Sequence, residues 1–198
     1  MADKTDETKR LREFYNVALT DNCWSPDIGF LSAKFDWVPL FVHGQLKKGL
    51  SKHHYIDDCP YEGIGYTFRP DFVMYRTKSN QPVILHGKDS PHTTGHIYGE
   101  IFLVNPERLA ELDKYFENTL FVRREEIPIR WWKPSDKSLK EKKNYLSKCF
   151  AYVSNPKEFK GVIDAGHAKM MPLNISRKTQ QPYFVFSQAE DQNNQRRM

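Results

Sequence analysis

Between Val38 and Val104 the chain is a succession of short runs rich in β-branched and aromatic residues, each closed by Gly, Pro, Asn or Ser. The runs are Val38 to Val42, Gly65 to Phe68, Phe72 to Tyr75, Pro82 to Leu85 and His96 to Val104. Segments this short and this often broken cannot build long helices, so they are expected to form a meander of strands. Val38 to Val42 is apolar throughout, which fits a buried strand that enters a loop at His43-Gly44. Asn105-Pro106-Glu107 then combines a capping side chain, Pro at a first helical position and an acid in the first turn. Leu109, Leu112 and Phe116 follow on one helical face, with Glu107, Glu111 and Lys114 toward water.

Leu120 to Ile129 is expected to be a further strand, with Pro128 marking an edge or bulge. Pro134 to Ser147 is polar and Lys-rich and is expected to be a loop passing into a short helix before an apolar strand at Cys149 to Val153. Tyr183 to Phe186 is a last strand, and residues 188–198 offer a core nothing. At the other end, Thr5 is expected to cap an amphipathic helix carrying Leu11, Phe14, Tyr15 and Ala18. The expected organisation is an N-terminal helical extension over 1–36, one domain over 37–187 and a mobile tail over 188–198.

Charge and cysteines narrow the function classes. From Arg123 to Lys148 there are nine Lys or Arg against four Asp or Glu, an excess matching the +5 of the whole chain. Beside Trp131 and Trp132, such a stretch can follow a nucleic-acid backbone while bases stack on the indoles. The chain lacks a nucleic-acid module, so a solvated basic face is the expectation. Cys23, Cys59 and Cys149 are too scattered for a metal or disulfide framework. His92 with His96, and His53 with His54, lack a third ligand at a recognised spacing, and no metal is expected. The charged first residues and the lack of a long apolar run point to a cytoplasmic protein without a membrane span.

Four segments in order carry a resemblance: Phe41-Val42-His43-Gly44-Gln45-Leu46-Lys47-Lys48-Gly49, Gly99-Glu100-Ile101-Phe102-Leu103-Val104, Leu109-Ala110-Glu111-Leu112-Asp113, and Phe121-Val122-Arg123-Arg124. Together they resemble the gamma-glutamylcyclotransferase-like family, in its gamma-glutamylamine cyclotransferase flavour. The resemblance implies an α+β fold, a small mixed β-barrel with flanking helices and a cavity at one mouth, and the order of strands and helix above is compatible with it. It also implies a cofactor-free reaction on a small anionic gamma-glutamyl-type ligand. The α-amine attacks its own side-chain carbonyl, releasing 5-oxoproline and a free amine.

The same resemblance assigns the site. The loop His43, Gly44, Gln45 and Leu46 would hold the glutamyl portion, with Phe121 and Arg123 as further binding residues. The helix supplies an acid to take and return a proton. Here the pattern departs: His43 stands for the usual Tyr, Gln45 for Ser or Thr, and Phe116 for the acid of Leu-Asp-x-x-Glu. Glu117, the next residue, is the candidate acid, although one residue turns a helix by about 100°. Two alternatives stay open: a non-catalytic small-molecule binder on the same fold, and an interaction module using the basic stretch. Oligomeric state is not specified by the sequence.

Overall fold

The structure is a computed structural model that describes residues 36–89, 92–120, 122–134, 145–177 and 180–187. The expected N-terminal extension and tail lie outside the described residues, apart from Asp36. Ten strands and two α-helices are present among them. In chain order these are β1 (Val38–Val42), β2 (Tyr61–Thr67), β3 (Phe72–Thr77), β4 (Pro82–His86), β5 (His96–Val104), α1 (Pro106–Leu120), β6 (Val122–Trp132), β7 (Tyr145–Ser154), α2 (Pro156–Asp164), β8 (Ala168–Met170), β9 (Asn174–Ile175) and β10 (Pro182–Phe184).

Five strands close on themselves in the order β1-β7-β6-β2-β5, with β5 returning to β1. The β1–β7 pair is parallel, Leu40 opposite Phe150, and the other four pairs are antiparallel, so the barrel is mixed. The α+β barrel with flanking helices is therefore present. The first five strands are not a simple meander, because β1 pairs with β5 and β7 rather than with β2. The β3–β4 hairpin leaves the barrel and joins β8 in a separate three-stranded sheet.

The apolar run of β1 explains this placement. Phe41 faces one core, shared with Ile101, Ile129, Trp131 and the inner side chains of β3 and β4. Leu40 and Val42 face a second, with Phe102, Leu109 and Leu112 under α1. A strand buried on both faces has no polar side to show, unlike the half-exposed strands of a meander. Helix α1 starts as its sequence dictates: Arg108 N–H donates to Asn105 Oδ1 at 2.8 Å, and Leu109 and Leu112 are buried.

Other differences have local causes. Pro128 lies inside the β6–β7 ladder opposite Lys148, but its carbonyl accepts from Phe68 N–H at 2.8 Å, just past the end of β2 at Thr67. Its missing donor faces the same way, where no β2 residue remains to be paired, so the edge is local. Strand β7 begins at Tyr145, so Ser147 is strand rather than loop, and residues 135–144 lie outside the described residues. Trp131 is wholly buried, its indole N–H donating to Ser147 Oγ at 3.0 Å. It therefore belongs to the core and cannot serve as a base-stacking surface.

Barrel closure demands close contact at Gly99 of β5, where an added Cβ would lie 2.3 Å from the Val42 carbonyl oxygen and 2.7 Å from Phe41 Cζ. The oxygen is backbone and cannot swing aside. Gly99→Ala is expected to destabilise the fold by about 1–3 kcal/mol through overpacking, read as a lower urea midpoint at unchanged slope. An unchanged midpoint would show that β1 and β5 have room to separate.

Candidate ligand cleft

One end of the barrel gathers the C-terminal ends of β1 and β7, the start of β6 at Val122, the start of β4 and the latter half of α1. They surround a partly open cleft of about 560 Å³, counting solvent at its mouth. Its walls are largely apolar, with Phe41, Val42, Pro82, Val83, Phe116 and Val122. Polar groups come from His43, Gln45, Lys52, Gln81, Tyr115 and Tyr152, and Gly44 and Leu46 complete the loop edge. Enclosed apolar surface with a few convergent polar groups is the usual form of a small-molecule site.

The loop after β1 is held by its own turns and by a strand beside it. Lys47 N–H donates to Gly44 O at 3.1 Å, and Lys52 N–H to Gln45 O at 3.0 Å. Glu100 of β5 accepts from Lys48 N–H at 2.8 Å, and is not among the cleft-lining residues. Gly44 is explained by close approach: an added Cβ would meet Pro82 Cγ at 2.5 Å, so the missing side chain lets β4 pack on the loop.

Tyr152 joins the loop to α1. Its carbonyl lies 3.2 Å from His43 Nε2, its hydroxyl donates to Asp113 Oδ1 at 2.7 Å, and its ring stacks on Phe116 with centroids 4.2 Å apart. Asp113 Oδ2 in turn accepts from Arg124 Nη1 at 2.6 Å. Burial, followed by the hydrogen bond to Asp113, pushes the Tyr152 phenol up, so it is a fixed donor.

His43 is 8 % exposed, and burial lowers its pKa to about 4, against the smaller opposing effect of the Tyr152 carbonyl. The imidazole is neutral near pH 7. With Nε2 donating to that carbonyl, the proton sits on Nε2 and Nδ1 is left as an acceptor. Among the described residues Nδ1 has no hydrogen-bond partner.

The expected site residues divide as follows. His43, Gly44, Gln45 and Leu46 all line the cleft. Arg123 does not: it is largely exposed and its Nε donates to Glu125 Oε1 at 2.5 Å. Phe121 lies outside the described residues, and Glu117 belongs to α1 with its side chain outside them. Phe116, at the position of the family's acid, lines the cleft as an aromatic ring. Among the described residues no carboxylate lines it. Lys52, Gln81 and Pro82 were missed, because each reaches the cleft from a turn or strand start whose sequence carries no ligand signal.

The match to a known family covers the region that builds the cleft. Residues 40–168, well over half of the chain, match the model of the family described as Gamma-glutamyl cyclotransferase, AIG2-like. A gamma-glutamylaminecyclotransferase A of Danio rerio is 27% identical over 100 residues, covering 47% of this chain and 59% of that protein. The match thus spans less than two thirds of that relative. An AIG2-like protein crystal structure from Mus musculus aligns with a TM-score of 0.48 and 24% identity, over 61% of this chain and 78% of that one. A protein from Pyrococcus horikoshii aligns at 0.42 and 16%, over 66% and 98%.

The buried imidazole sets an acid limit on stability. Its folded pKa lies below the ordinary 6.5, so the unfolded chain binds the extra proton first as pH falls, and stability drops from about pH 6.5 toward pH 4. His43→Gln, which keeps a donor without the titration, is expected to remove about 2–3 kcal/mol of the stability lost between pH 7 and 4.5. Urea unfolding at the two pH values checks this. Equal acid losses in both proteins would mean that the imidazole is protonated in place.

Proposed function

The chain belongs to the Gamma-glutamyl cyclotransferase, AIG2-like family, and from that membership we propose that its cleft binds a gamma-glutamyl compound and releases 5-oxoproline and a free amine. The observation that carries this reading is that the matched region, 40–168, contains all the described residues that line the cleft. Folding the gamma-glutamyl chain back on itself in a confined site brings the amine nitrogen onto its own side-chain carbonyl, so nucleophile and electrophile need no second encounter.

The substrate ammonium must first lose a proton. Glu117 takes that role in this account: its carboxylate accepts the proton, and the freed amine attacks the γ-carbonyl carbon. A ring C–N bond forms as the carbonyl π electrons move to oxygen. When that oxygen re-forms the carbonyl, the bond to the departing nitrogen breaks and the carboxylic acid returns the proton to it. The ring nitrogen, which still carries two hydrogens after the attack, gives up one through the same carboxylate, so that the lactam keeps a single N–H and the released amine leaves as its ammonium. The reaction conserves atoms without an external oxidant or reductant. The apolar walls would receive the part of the substrate beyond the amide.

A second reading has its own support. Phe116 stacks on Tyr152 where the family pattern has an acid, which suits a cleft that holds its ligand without turning it over.

Release of 5-oxoproline from gamma-glutamyl amines, gamma-glutamyl amino acids and glutathione separates the two. The proposal expects release by the wild type and a loss of at least about a hundredfold in Glu117→Gln, the low end for removing a general acid–base. Full activity in that variant would end the role given to Glu117. If the wild type binds 5-oxoproline but releases none from any substrate, the binding function takes its place. In that case Phe116→Glu, which restores the family's acid, is expected to create release above the wild type.

A further inference from the structure

We infer that Lys52 is the counter-charge for a ligand carboxylate in the cleft, and so a positioning residue that selects small carboxylates over their uncharged analogues. This rests on the cleft being a small-molecule site, but not on turnover.

Lys52 is held at the loop by its backbone. Its N–H donates to Gln45 O at 3.0 Å, and its own carbonyl accepts from Tyr55 N–H at 3.2 Å. The side chain then lies along the α1 wall, with Nζ 5.9 Å from the centre of the Tyr115 ring. A cation over an aromatic face is weakly held, and its ammonium protons remain available for a stronger acceptor.

The charges around the cleft leave this role to Lys52. His43 adds no positive charge near neutral pH, since its imidazole is buried and donates from Nε2 to a carbonyl. Arg124 is committed to Asp113 at 2.6 Å, and Arg123 to Glu125. Lys47 reaches away to the Phe186 carbonyl at 2.5 Å. Among the described residues lining the cleft, Lys52 is the cation, and no carboxylate opposes it. An anion entering a half-enclosed, largely apolar cleft needs a charge partner to replace its water, and Lys52 stands beside the loop amides that would share it. Arg123, which the sequence suggests for this task, is turned elsewhere.

The probes are 5-oxoproline, a carboxylate, and 5-oxoprolinamide, its uncharged analogue, titrated calorimetrically into wild type, Lys52→Met and Lys52→Arg, with circular dichroism to confirm folding. Wild type is expected to prefer the acid by about tenfold or more, as one charge-assisted hydrogen bond warrants. Lys52→Met should lose that preference while binding the amide as before, Lys52→Arg should keep it, and added salt should reduce it. Acid binding with equal strength in wild type and Lys52→Met overturns the inference. So does a wild type that binds acid and amide alike, or binds neither. Turnover distinguishes it from the functional reading: acid preference without 5-oxoproline release supports Lys52 and rejects catalysis. Release with an unchanged KM in Lys52→Met keeps catalysis and rejects Lys52.

Discussion

Tyr152 is the point on which the cleft depends. One residue of β7 accepts from the His43 ring through its carbonyl, donates to Asp113 through its hydroxyl and stacks on Phe116 with its ring. It thereby fixes the loop after β1 and the helix after β5, joining His43 and Asp113, which lie 70 positions apart in the chain (113 less 43). The arrangement needs a closed barrel, since only the parallel β1–β7 pairing brings the β7 end beside that loop. The same contacts bury an imidazole and a phenol in forms that neither gain nor lose a proton near neutral pH, so the cleft is electrically quiet at its centre.

That quiet centre shapes what the cleft can recognise. A ring at position 116 and an uncharged imidazole at 43 replace two polar groups of the family pattern, while the apolar wall remains. Any proton transfer therefore has to come from a group beyond these two. Any charge selection has to come from the rim, where Lys52 stands. The barrel can thus be retained while the chemistry at its mouth changes, because the loop residues His43 to Leu46 and Lys52 lie beyond the end of β1, although Phe41 and Val42 serve both the closure and the cleft wall.

Much of the fold was legible, and the failures have physical reasons. The strand runs and the Asn105-Pro106 helix start were visible because local propensity and burial agree there. Asn155-Pro156 repeats the same signal at the start of α2, with Asn155 Oδ1 accepting from Lys157 N–H at 3.1 Å, and it was overlooked among charged neighbours. Strands β8 and β9 are too short to carry a periodicity and exist through pairing with β3 and β10. At the site, the loop His43 to Leu46 followed from its motif. Lys52 did not, since in Lys47-Lys48-Gly49-Leu50-Ser51-Lys52 nothing marks the last lysine until the turn ties it to Gln45. For Arg123 the sequence offers two fates, a ligand carboxylate or an ion pair with a nearby acid, because alternation sets only its face of the strand; the structure pairs it with Glu125 two residues on.

The account stands or falls on where a small carboxylate binds. Backbone amide NMR of the isotope-labelled full chain, titrated with 5-oxoproline, locates it residue by residue. The account predicts saturable shifts concentrated at His43 to Leu46, Lys52, Tyr115, Phe116 and Tyr152. Shifts centred instead on a site away from the cleft, such as the aromatic cluster in which Tyr66 packs against Tyr98 and Trp132, or none at any ligand concentration, would contradict it.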